Sequence, residues 1–183
     1  MTKILFAIAL VSTSCFAQKQ PSMEDSIFEL VNYVRQEPKR FLTEVAQPYI
    51  KSNELEKSSY AKSLTRTLQK QNPLPPLSRT KQLMDMAANF AVEAGRKGWT
   101  DHVRTDTRFK KYAPEIEITG ENLQFGSADA LSVIMELLID EGVRNLGHRK
   151  NILDQEFSLI GIGFGNHKTF DTIGVIVFGG FVE

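Results

Sequence analysis

The chain has little from which to build cross-links: one cysteine, Cys15, among 183 residues. A single thiol excludes an intramolecular disulfide, so stability has to come from packing the 42% hydrophobic content. Long apolar runs are missing too, and no segment approaches the roughly 20 apolar residues that a bilayer-spanning helix needs. Neither sign of charge is in excess, with 22 basic and 22 acidic side chains. That balance removes the electrostatic footprint of a nucleic-acid binder or of a protein held on an anionic membrane. Histidine is scarce, with three in all. There is no His-Glu-x-x-His helix, no serine elbow, and no serine or threonine with a marked base beside it. No internal repeat is visible.

What is present begins with a leader. Lys3 is a short positive region, Ile4 to Val11 is apolar, and Ser12-Thr13-Ser14-Cys15-Phe16-Ala17 ends on a small residue. This reads as a secretory signal peptide, residues 1–17, cut after Ala17. The mature chain would then hold no cysteine despite export, and lose one basic side chain. The alternative is a lipoprotein acylated at Cys15, although Ser12 stands where an aliphatic residue is usual.

Periodicity organises the rest into one domain, 22–183. Ser22 to Arg35 opens on a capping residue and carries Ile27, Leu30, Val31 and Val34 at helical spacing. Pro38 opens a further turn with Phe41, Leu42 and Val45 on one face. From Gln47 to Arg79 the pattern is weak, with a short helix near Tyr60 to Leu68. Asn72-Pro73-Leu74-Pro75-Pro76-Leu77 is expected to be a stiff connector. Lys81 to Lys97 is the clearest helix, with Leu83, Met86, Ala87, Phe90, Ala91 and Ala94 on one stripe. Gly95 and Gly98 are expected to end it and deliver Trp99 and His102 into a loop. Ser127 is expected to cap a helix reaching about Glu141, with Asp140 at its end. Strands are expected at Leu159 to Gly165 and Thr172 to Val182, with a turn around Asn166-His167-Lys168. Helices first and strands last indicate an α+β fold.

Four polar residues stand out. His102 follows Trp99-Thr100-Asp101, Glu121 lies in Gly120-Glu121-Asn122, and His148 sits in Gly147-His148-Arg149-Lys150-Asn151-Ile152-Leu153. Asp140 ends a buried stripe, and Glu141 is the alternative to it. Each has a plain reading: an exposed loop histidine, a turn in which Asn122 bonds the backbone, acidic residues near a helix end, a histidine capping a helix. A carboxylate at a helix C-terminus is disfavoured by the macrodipole, which calls for a compensating positive group.

In this order the motifs resemble the CAP superfamily, the cysteine-rich secretory, antigen 5 and pathogenesis-related proteins. The resemblance runs from Leu83 to Phe181 and is nearest the cysteine-poor bacterial members. It rests on the alanine-rich helix, the His102 loop, Gly120-Glu121-Asn122-Leu123, the Gly147 to Leu153 run and Ile160-Gly161-Ile162-Gly163. Ser22 to Val45 is similar to the family's opening helix. The resemblance implies a three-layer α-β-α sandwich with a central antiparallel sheet. It also implies a cleft lined by His102, Glu121, Asp140 and His148. The family usually carries glutamate at the third position and an aromatic residue three before it. This chain has Asp140, or alternatively Glu141, with Leu137 in the aromatic position.

Two functions follow. One is a secreted binding protein for a lipid, a sterol or an extracellular protein, matching family members that bind such ligands. The other is a metal-dependent hydrolase acting on peptides or cell-envelope polymers. There His102 and His148 would ligate Zn²⁺ or another divalent metal, and Glu121 would accept a proton from bound water. No nucleotide or organic cofactor is expected, and the oligomeric state is open.

Overall fold

A computed structural model describes residues 20–182. The leader and Cys15 lie outside the described residues. α1 (Met23–Gln36) starts on the expected cap: Ser22 Oγ accepts from Asp25 N–H at 3.1 Å, and the Asp25 carboxylate accepts from Ser22 N–H. Ile27, Val31 and Val34 on it are buried. After Pro38 come α2 (Pro38–Phe41), a π-helical turn over Leu42–Ala46 and α3 (Gln47–Ser52). α4 (Ser59–Lys70) is capped by Ser58 and buries Ala61, Leu64 and Leu68.

The proline-rich stretch is a connector that α1 holds in place. Asn32 clamps Leu77 from both sides, its amide donating to Leu77 O at 3.1 Å and accepting Leu77 N–H at 2.8 Å. Arg35, wholly buried, donates to Pro75 O, Ile152 O, Asp154 O and Phe157 O. Burial pushes its pKa down to about 10. One guanidinium thus ties α1 to the proline-rich connector and to the segment from Ile152 to Phe157.

β1 (Ser78–Arg79) leads through the Thr80 cap into α5 (Lys81–Lys97), which ends on Gly98 at φ 74°. Gly98 is the expected stop. Gly95 serves a different purpose, because a Cβ there would strike Asn166 O. α6 (Thr105–Tyr112), β2 (Ile118–Phe125), α7 (Ala130–Ile139), α8 (Gly147–Ile152), β3 (Leu159–His167) and β4 (Asp171–Gly180) follow. The cap of α7 is Asp129, whose carboxylate accepts Ser132 N–H at 2.9 Å, and not Ser127. Ser127 is drawn away by Gln124 and Glu136, 2.7 Å on either side.

The sheet order is β1-β3-β4-β2. β2, β4 and β3 are antiparallel, and β1 adds a two-residue parallel pair to β3. Apolar residues fill both faces, as a doubly covered sheet requires. On one side Ile160, Ile162, Ile176 and Phe178 pack with α1, α4 and α7. On the other, Leu123, Ile173, Val175 and Val177 pack with α5 and Phe109 of α6. This is the three-layer α-β-α arrangement. α5 lies so close to β3 that a Cβ on Gly161 or Gly163 would fall within the backbone of Leu83 or Ala87. β2 and β3 lie towards opposite edges of the sheet, and that separation positions the site.

Candidate functional site

β2 carries the candidate site on its two faces. Alternation turns Glu121 toward α6 and Asn122 toward α8. Glu121, with 2% of its side chain exposed, receives every donor in reach. Arg108 donates to both its oxygens, at 2.6 Å (Oε2) and 2.9 Å (Oε1). Thr105 Oγ1 donates to Oε1 at 3.0 Å, and His102 Nδ1 lies 2.9 Å from the same oxygen. A carboxylate only accepts, so His102 carries its proton on Nδ1. Burial works to raise the Glu121 pKa. The hydrogen bonds from His102 and Arg108 and the Arg108 charge outweigh it, and the carboxyl is held below its usual range. The hydrogen bond to Glu121 in turn raises the His102 pKa against its partial burial.

Arg108 is the residue that the sequence reading missed. It sits on α6 with its guanidinium 3.6 Å from the centre of the Phe90 ring, and Nε donates to Val103 O. A signal existed. Thr105, Arg108, Phe109 and Tyr112 recur at i, i+3, i+4 and i+7, the stripe of a one-sided helix.

On the other face, Asp140 closes α7 in the left-handed conformation, φ 61°. Its Oδ1 lies 2.7 Å from His148 Nδ1, and its Oδ2 accepts the His148 and Arg149 N–H groups at 3.0 and 3.3 Å. His148 therefore also carries its proton on Nδ1. Glu141 instead accepts from Ser58 Oγ at 2.5 Å and is exposed, so the contact to His148 belongs to Asp140. The positive group that the helix end calls for is Arg149, which is buried. Its guanidinium donates to Leu138 O and Ile139 O, the last carbonyls of α7.

Two asparagines join these halves through β2. Asn122 Nδ2 donates to His148 O at 2.9 Å, and Asn151 Nδ2 donates to Asn122 Oδ1 at 2.8 Å. His102 and His148 thus flank one edge strand from its two sides, each with Nδ1 on a buried carboxylate. Nε2 of each ring has no hydrogen-bond partner among the described residues. The third histidine, His167, lies elsewhere. It is buried, its Nε2 donates to Trp99 O, and its Nδ1 accepts from Thr169 and Phe170 N–H.

A catalytic zinc takes three protein ligands and keeps a site for water. Among the described residues no three histidine, cysteine or carboxylate side chains converge on one point. The donor set on offer is two imidazole nitrogens, because the carboxylates are turned inward to the rings and to Arg108. These residues do not build a three-ligand zinc centre.

The Cysteine-rich secretory protein family model, CAP, matches residues 28–179, and the chain belongs to that family. Venom allergen-like protein 4 of Schistosoma mansoni is similar in structure, with a TM-score of 0.57 and 14% identity over 89% of this chain and 91% of that one. An outer surface protein of Borrelia burgdorferi has a TM-score of 0.51 and 20% identity, covering 72% of this chain and 96% of its own. An extracellular SCP-domain protein of Bacillus anthracis has the same TM-score and identity, covering 67% of this chain. This chain spans 39% of the Bacillus protein's length. At these identities the likeness is one of fold. No curated protein sequence matches the chain. Two of these relatives are described as extracellular or outer surface proteins, and no helix among the described residues is long and apolar enough to cross a membrane.

Proposed function

We propose that this chain is an exported CAP-domain binding protein that recognises a hydrophobic ligand, a lipid or an extracellular partner. One observation carries the reading: both site carboxylates are spent on orienting imidazoles and on ion pairing. Glu121 accepts four hydrogen bonds and Asp140 three. A general base needs a lone pair free for the proton it takes, and neither residue keeps one convergent with a nucleophile. The hydrolase alternative, on peptides or cell-envelope polymers, loses Glu121 and Asp140 as its base and would have to use the bare Nε2 of His102 or His148.

An open groove of about 600 Å³, within the range of small-molecule pockets, lies next to Asp140, where Tyr49, Leu55 and Ile139 offer apolar surface to a ligand beside the polar Asn53, Ser58, Glu136 and Glu141. A divalent ion such as Zn²⁺ would be held by His102 and His148 through Nε2, with the carboxylates as orienting partners.

Two measurements test this. Labelled fatty acids and sterols titrated into the protein should bind saturably, and failure across the panel removes the lipid version. Elemental analysis of chelator-free protein, with zinc titrations of the wild type and of His102→Ala/His148→Ala, tests the ion. Hydrolysis of peptide or envelope polymer that the double variant abolishes would overturn the binding reading.

A further inference from the structure

The opposite edge of the sheet carries a second surface that the histidine site does not use. β1 pairs with β3 only at Leu159 and Ile160, so from Gly161 onward β3 has no strand on that side among the described residues. The side is fixed by two bonds. Ser78 N–H donates to Ser158 O at 2.9 Å, and Ile162 N–H, with no strand to meet, donates to Met84 Sδ at 3.2 Å. Main-chain groups repeat their direction every second residue. Phe164 and Asn166 N–H therefore face the same side, and Asn166 O is already packed on Gly95 of α5.

α5 forms a wall along this edge. Met84, Ala88, Val92 and Arg96 recur every four residues and share one face; Ala88 and Val92 are exposed, the valine at 67%. At the far end a groove of about 440 Å³ is lined by Val92, Arg96, Gly165, Asn166 and Lys168. A Cβ on Gly165 would meet nothing within 4 Å, so the sheet face above the groove is open at that residue. Arg96 and Lys168 have no ion-pair partner among the described residues, and no carboxylate lines the groove.

The geometry points to strand addition: an extended acidic segment of a partner protein pairs with β3 at Phe164 and Asn166. Its apolar side chains lie on Ala88 and Val92, and its carboxylates meet Arg96 and Lys168. Main-chain hydrogen bonds provide the affinity in such complexes, and the flanking side chains select the sequence. Charge complementarity chooses an acidic strand over a neutral or basic one.

The test uses a blocked, fluorescent peptide of alternating valine and glutamate, read by anisotropy against the full chain. Saturable binding is expected, at least about tenfold weaker to Arg96→Glu/Lys168→Glu and lost when alternate peptide amides are N-methylated. Circular dichroism checks that the double variant is folded. Amide exchange should slow at Phe164 and Asn166 when peptide is added. No saturable binding up to millimolar peptide, or binding indifferent to both changes, overturns the proposal. Slowed exchange that follows protein concentration alone, with dimers in sedimentation, also overturns it and assigns the edge to a second copy.

Discussion

Arg108 grips Glu121 with two parallel hydrogen bonds, 2.6 and 2.9 Å long, and both side chains are buried. This paired fork is the geometric strong form of an arginine-carboxylate contact. It decides what Glu121 can do, because a carboxylate so held orients His102 and stays ionised. Arg108→Ala leaves that charge buried and unpaired, and should cost about 3–5 kcal/mol of folding stability in urea denaturation. A loss under about 1 kcal/mol would mean that solvent replaces the guanidinium.

The pH dependence of the His102–Glu121 contact has a defined sign. His102 has a raised pKa, so its contribution is complete below its ordinary value of 6.5 and is lost as pH rises through the raised one. Glu121 has a lowered pKa, so its contribution is complete above 4.5 and is lost as pH falls through the lowered value. The stability difference between wild type and His102→Ala should therefore be largest between these two ordinary values and shrink toward alkaline pH. Denaturation midpoints across that range measure it, and a difference that grows with pH contradicts the assignment.

Close packing of α5 on β3 predicts a penalty for the smallest possible addition. Gly161→Ala puts a methyl group into the Leu83 backbone and should destabilise by about 1–3 kcal/mol, with local displacement of α5. Gly165→Ala, with open space around it, is the control and should cost much less in the same thermal melts.

The α7 cap separates two neighbouring residues. Asp129→Ala removes the acceptor for Ser132 N–H and should cost about 1 kcal/mol. Ser127→Ala leaves the cap alone and removes a hydroxyl that joins Gln124 to Glu136. Amide exchange near Ser132 should quicken in the first variant only.

The legible parts of this fold are those where burial follows a regular period. α5 and the β3–β4 hairpin are readable because their apolar residues fill one stripe or alternate faces. β2 is not, since Gly120, Glu121, Asn122 and Gln124 break the apolar alternation. Their partners are Arg108, His102 and Asn151, which come from separate parts of the chain. α6 was hidden because an arginine occupies one of its buried positions. The four site residues were visible as a set only through the resemblance. Their pairing, His102 with Glu121 and His148 with Asp140, depends on which face of β2 each approaches, and spacing does not contain that. The same holds for Arg149, whose contact with the end of α7 depends on how the α7–α8 connection turns back.

Imidazole ¹⁵N NMR of the free protein, at a pH where both rings are neutral, tests the central claim most directly. If the carboxylates serve to orient the histidines, His102 and His148 are both Nδ1–H tautomers with bare Nε2 atoms. In Glu121→Gln the His102 resonance should move toward the mixed tautomer of a free imidazole. Either ring found in the Nε2–H form, with Nδ1 bare, would contradict the account.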